Sequence, residues 1–237
     1  MDQKDSPHLG PDERDRSVAI LRSVSGSVPV LGPFLSEIIT NVIPNQRMDR
    51  LERFLRLLDE RLEGLEEGQK TAINGKPEAV ALLEDGAMLA ARAVSPERLG
   101  HIVSLVSSGL KDEDRNLLKW RRTLGILEQL DDLEVAILYA YRDPILSFRE
   151  LETLRPQALT YIGSDATGHE EEASWKASLN KLERLSLLSF SQKTEKGLGR
   201  THFPIYDAFG RPEGSHSLST FGRAFLRAIG LNVSDPR

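Results

Sequence analysis

Cysteine is absent from this 237-residue chain. Disulfides, thiolate metal sites and cysteine nucleophiles are therefore excluded outright. A surplus of positive charge is also missing. Lys and Arg number 31 against 36 Asp and Glu, so the net charge is −5 and the pI is near 5.6. That argues against a nucleic-acid binder acting by bulk charge, although a local basic patch survives it. A secretory leader needs a basic start and an unbroken apolar core. Residues 1–16 instead carry Asp2, Asp5, Asp12, Glu13 and Asp15 against Lys4, Arg14 and Arg16, with Pro7, Gly10 and Pro11. They read as a loose tail, and the cytoplasm is the expected compartment, with possible membrane association through the apolar helix described below.

The signatures of common chemistry are missing too. A zinc-protease helix needs two histidines at i and i+4 with a glutamate between. His169-Glu170-Glu171-Glu172-Ala173 supplies the glutamate and not the second histidine, and reads as acids near a helix N-terminus. Gly197-Leu198-Gly199 is half of a dinucleotide fingerprint, yet it sits between two strand-like stretches, where glycine serves a turn. The chain holds no phosphate-binding loop and no nucleophile elbow, and its carboxylates are spread over helix faces. No catalytic residue, metal site or cofactor is expected.

What is present is helix pattern. Phe34, Leu35, Ile38, Ile39, Val42 and Ile43 form one half of a helix, and Ser36, Glu37, Thr40 and Asn41 the other. Pro33 suits its first position and Pro44 stops it. About three turns bearing a glutamate are too short to cross a bilayer. Two readings fit: one core helix of a bundle, or an element that lies in a membrane or partner groove. Next, Met48, Leu51, Leu55, Leu58, Leu62 and Leu65 recur at spacings of 3, 4, 3, 4 and 3, a heptad seam suited to self-association. Phe54 and Leu57 widen the stripe and the run is under three heptads, which suits bundle core equally well.

Gly64, Gly68, Asn74-Gly75 and Lys76-Pro77 mark a connection. Pro77 opens a helix to about Val94 that is rich in small residues, which permit close helix approach. Ser95-Pro96-Glu97 starts another, ending near Gly109. Asp112 is the expected cap of the next, with Leu117, Leu124 and Leu127 on one stripe beside Trp120. Asp131-Asp132 reads as a domain boundary, dividing a helical bundle over 17–130 from a domain over 131–237. Beyond it come a helix from Leu133 to Arg142 and a short helix from a capping box, Ser147-Phe-Arg-Glu150. A third runs from about Glu170 to Ser186, with Trp175, Leu179, Leu182 and Leu185 on one face. Leu187 to Lys193 and Thr201 to Asp207 read as two strands, and Ser219 or Thr220 caps a closing helix that ends at Gly230. The expected fold is mainly α: an N-terminal helical bundle followed by a winged-helix-like α+β domain with a small β-hairpin.

Three stretches, Gly32-Pro33 to Arg50, Leu82 to Ala93 and Leu130 to Tyr141, carry a resemblance to bacterial helical proteins of the abortive-infection alpha type, which are associated with phage resistance. The resemblance implies a part in phage defence, and the lack of any active-site constellation an effector without catalysis of its own. On the residues alone, the expectation is an interaction protein that meets its own copies, a protein partner or a membrane surface through its N-terminal helices. The alternative is a winged-helix transcription regulator. For that reading the candidate DNA contacts are Lys176, Lys181 and Arg184 on the third helix and Lys193, Lys196 and Arg200 on the wing, opposed by Glu170, Glu171, Glu172 and Glu183.

Overall fold

The computed structural model describes residues 45–62, 76–112, 116–143, 147–155, 166–196, 202–206 and 212–233. It is mainly helical, with small antiparallel strand pairs near the C-terminus. The helix read over Phe34–Ile43, together with Leu65 and Arg200, lies outside the described residues. The chain divides into two compact units, Met1–Gly125 and Ile126–Arg237. The division falls within a helix, Leu117–Gln129, a few residues before Asp131-Asp132.

In the first unit, α1 spans Asn45–Leu62, α2 Pro77–Arg92, α3 Pro96–Lys111, and α4, Leu117–Gln129, begins. The starts follow local chemistry. The Ser95 hydroxyl accepts from the Arg98 N–H at 3.1 Å, Pro96 needs no donor partner, and Glu97 sits at the positive end of α3. The cap of α4 is Asn116, whose Oδ1 accepts from Lys119 N–H at 3.2 Å. Asp112, expected there, instead accepts from Trp120 Nε1 at 2.6 Å. Leu51, Phe54, Leu55, Leu58 and Leu62 of α1 are buried, and α1 packs on α2 and α3. The small residues of α2 make that possible. A Cβ on Gly86 would stand 2.6 Å from Val106 Cγ2 and 3.4 Å from Phe54 Cζ, so three helices converge at a point where only hydrogen fits. At the edge of this unit Arg61 Nη1 donates to Ser104 Oγ at 2.7 Å, and Arg121 pairs with Asp85 at 2.7 Å.

The second unit holds the end of α4, then α5 Asp132–Ala140, α6 Ser147–Leu154, α7 Ala166–Arg184, strands β1 Leu188–Gln192, β2 Thr194–Lys196, β3 His202–Pro204 and β4 Gly214–Leu218, and α8 Thr220–Ala228. The Asp131 carboxylate accepts from the Glu134 N–H and Glu134 accepts from the Asp131 N–H, a complete capping box. The side chain of Ser147, the other half of the box read at Ser147–Glu150, lies outside the described residues. The Glu150 carboxylate takes both Arg142 Nη groups, at 2.5 and 2.7 Å, and ties the end of α5 to α6. That hydrogen bond holds Glu150 below its ordinary pKa of 4.5. A carboxylate with a depressed folded pKa stabilises above its unfolded value and loses that contribution as pH falls through the folded one. Glu150→Gln is therefore expected to melt earlier than wild type at pH 7, with the two melting curves converging once the pH falls well below 4.5.

Helix α7 ends in a Schellman turn. Leu187 N–H reaches Leu182 C=O at 2.9 Å and Ser186 N–H reaches Glu183 C=O at 2.8 Å, with Ser186 at φ 60°. Of its apolar face, Trp175 and Leu182 are buried, and Leu179 and Leu185 half-buried. The ribbon after it departs from a plain hairpin. β1 pairs antiparallel with β4 from Leu188↔Leu218 to Gln192↔Gly214, and β2 with β3 from Thr194↔Pro204 to Lys196↔His202. The partner of β1, Gly214-Ser-His-Ser-Leu218, has one buried residue and lies outside the two strands read from the sequence. At the branch three residues form a closed ring of main-chain bonds. Lys193 donates to Glu213 at 2.8 Å, Glu213 to Ile205 at 2.9 Å, and Ile205 to Lys193 at 3.0 Å. A further antiparallel bridge joins Tyr206 and Pro212.

Candidate functional site

Lys181 is turned inward: its Nζ lies 2.7 Å from Glu134 Oε2, and that carboxylate is 5% exposed. Glu134 also serves the Asp131 cap, so one buried carboxylate holds both the start of α5 and the last turns of α7. Lys176 pairs with Glu172 at 3.0 Å, one turn earlier on α7, and the same Glu172 receives Arg155 at 3.5 Å. Burial opposes ionisation of Glu172, and the Lys176 and Arg155 charges outweigh it, leaving its pKa lowered. Arg184 is exposed at the end of the helix, beside exposed Glu183. Of the three cations expected on the third helix, then, only Arg184 faces solvent without a carboxylate partner among the described residues.

Lys181 is therefore a pin between α5 and α7. Lys181→Met leaves Glu134 buried without its cation. Removing one partner of a buried pair costs roughly 3–5 kcal/mol, and the 29% exposure of Lys181 reduces the expected loss to about 2–3 kcal/mol. Thermal unfolding is expected to fall accordingly, and Lys181→Met with Glu134→Gln is expected to recover most of it.

The ribbon differs from α7. Every residue from Ser191 to Lys196 is exposed. Lys193 reaches only to 4.0 Å from Glu213 and its side chain is 65% exposed. Phe203 and Tyr206, which the sequence reading passed over, are 58% and 54% exposed. Alternation places Lys193, Glu195, Phe203 and Ile205 on one face of the ribbon, and Thr194, Lys196 and Pro204 on the other. The signal for them in the sequence is the strand-like run Thr201–Asp207 itself, which carries both aromatics.

At the ribbon's base His216 stands on β4 opposite Phe190, ring centroids 5.2 Å apart, with Tyr141 edge-on at 6.5 Å. Its buried Nε2 has no hydrogen bond, and Glu183 Oε2 is 3.7 Å away. Burial raises the Tyr141 pKa. The ring fills the corner between α5, α7 and the ribbon.

The leucines read as a self-association seam are placed otherwise. Leu51, Leu55, Leu58 and Leu62 are buried inside the first unit, so they have no area to offer a second copy. The extra width supplied by Phe54, wholly buried, explains why: the stripe meets two helices, not one. Among the described residues no three His, Asp or Glu side chains converge as metal ligands would, and no helix is long and apolar enough to cross a membrane. Comparison with family models, curated proteins and solved structures finds no match to the chain.

Proposed function

We propose that the chain is a non-catalytic interaction protein, and that its second unit is a winged-helix module making contacts through its ribbon. The supporting order is three helices, a ribbon and a closing helix. The observation that carries the reading is the contrast between α7 and the ribbon. In a DNA-reading module the third helix brings cations to phosphates and base edges. Here Lys181 and Lys176 are held by Glu134 and Glu172, while the ribbon exposes Phe203 and Tyr206. Exposed aromatics on a β arm favour a protein surface, where Tyr and Phe supply large contact area.

The second reading is a DNA-binding regulator, favoured by exposed Lys193 and Lys196 on the same ribbon. Retention of duplex DNA at rising salt separates the two. Phosphate contacts release counterions, so real DNA binding weakens steeply with salt. The expected result is no salt-dependent retention of wild type. Retention at low salt that disappears in Arg184→Glu and in Lys193→Glu with Lys196→Glu replaces the interaction reading with the regulator. Lys181 is unsuitable for that test, since its loss damages the fold.

A further inference from the structure

Residues Leu188 to Lys196 form one strand paired along a single edge. The N–H and C=O of Lys193 both point to that edge, toward Glu213 and Ile205. Main-chain groups alternate sides along a strand, so those of Phe190, Gln192, Thr194 and Lys196 point the opposite way. Among the described residues no strand or loop meets them there. The far side of β3 is less open, because its outward residue Pro204 has no N–H. A long free edge is a template for another strand, and a ribbon of two strands with both faces in solvent is marginal by itself.

We propose that this edge pairs with the same edge of a second copy of this chain, antiparallel about a twofold axis at Thr194. Charge selects the register. With Thr194 opposite Thr194 of the second copy, Lys193 faces Glu195 and Glu195 faces Lys193, both in the pair type that brings side chains closest. Slipping the strands by two residues in either direction sets Lys193 against Lys193 or Glu195 against Glu195, which repel. Both favourable pairs lie on the face carrying Phe203 and Ile205. The product is a four-stranded ribbon with one aromatic of each copy on that face. The contact is isologous, as closed dimers require. It deepens the interaction reading by naming a partner, and rests on that reading for the ribbon as the contacting element.

The test is the mass of the full chain by light scattering across concentration. Wild type is expected to approach twice 26.4 kDa. Lys193→Glu and Glu195→Lys each place like charges together and are expected to stay at the single-chain mass. The double swap, Lys193→Glu with Glu195→Lys, restores both pairs and is expected to regain the dimer. Thr194→Pro removes an outward N–H that the chain's own ladder does not use, so it is expected to keep the circular dichroism of wild type and lose the dimer. As a second route, the absence of native cysteine makes an introduced thiol unique. Thr194→Cys is expected to cross-link under oxidation, the Cα separation of about 5.5 Å in such a pair suiting a disulfide, and Ser189→Cys is not. A wild type that remains single at every concentration, or a dimer untouched by the charge reversals, overturns the pairing. A single chain that also ignores DNA leaves the interaction reading standing without it.

Discussion

Leu58→Asp is expected to unfold the first unit, and not to halve the mass of an assembly. Leu58 is wholly buried between Leu55 and Leu62 on α1, in the layer where α1 meets α2 and α3. Truncating a buried leucine to alanine alone costs about 2–5 kcal/mol. Aspartate adds the penalty of a carboxylate with no cation or donor built to receive it, several kcal/mol more unless it takes up a proton. The sum exceeds about 5 kcal/mol, which approaches the whole stability of an ordinary domain. Circular dichroism should therefore lose its cooperative helical melt, and aggregated or protease-sensitive protein should replace the folded chain. A variant that keeps the wild-type melt and drops to a smaller mass would return these leucines to a surface and overturn the assignment of α1 as core. Leu57, half-buried on the same helix, is the milder control: Leu57→Ala is expected to cost far less because less area leaves water and less cavity remains.

The same seam shows what periodicity can and cannot decide. A 3-4 repeat of leucines marks one face of a helix, and that face was legible at once. Whether a partner helix comes from the same chain is a question of width. Phe54 widens the stripe beyond a two-helix seam, and it stands against Gly86, where α2 and α3 close in. Elements with a local signal were legible: Ser95 capping α3, and Gly230 at φ 85° ending α8. Signals that compete locally misled. Asp112 reads as the cap of α4, but its carboxylate takes the Trp120 indole N–H, and Asn116 accepts from the Lys119 N–H in its place. What had no local signal at all was the long-range pairing. Nothing near Lys181 announces Glu134, 47 positions away. β4 has a glycine, two serines and a histidine, and is a strand because β1 offers it a ladder. The ribbon residues now proposed as the contact surface were visible only as scattered charges until the ladder fixed which of them share a face and which edge is free.

Gly222→Ala is expected to destabilise the second unit, in the direction opposite to the usual gain from replacing a helical glycine. The added Cβ would stand 2.2 Å from the Leu187 carbonyl oxygen and 2.8 Å from Leu218 Cδ1. The leucine side chain can turn aside, but the carbonyl cannot. It accepts from Ser219 N–H at 3.1 Å, and its neighbour Ser186 C=O accepts from the Ser219 hydroxyl at 2.6 Å, while that same hydroxyl receives Gly222 N–H at 2.8 Å. Ser186 itself is fixed at φ 60°, a conformation that an L residue adopts at a cost and only when its surroundings impose it. The first turn of α8 thus rests directly on the corner between α7 and β1, and a methyl group must lift it off. Overpacking against fixed backbone costs about 1–3 kcal/mol or more, and disturbing the Ser219 cap about 1 kcal/mol. Against these, alanine returns up to about 1 kcal/mol of helix propensity. The net loss of about 1–3 kcal/mol corresponds to a fall in melting temperature on the order of 10 °C for a unit of this size. Gly100→Ala supplies the comparison. It too is a helical glycine, but nothing stands within 4 Å of its added Cβ, so the propensity gain is unopposed and that variant is expected to be more stable than wild type by up to about 1 kcal/mol. Opposite signs at the two glycines follow from the Leu187 carbonyl alone. Equal gains at both would mean that α8 does not sit on this corner.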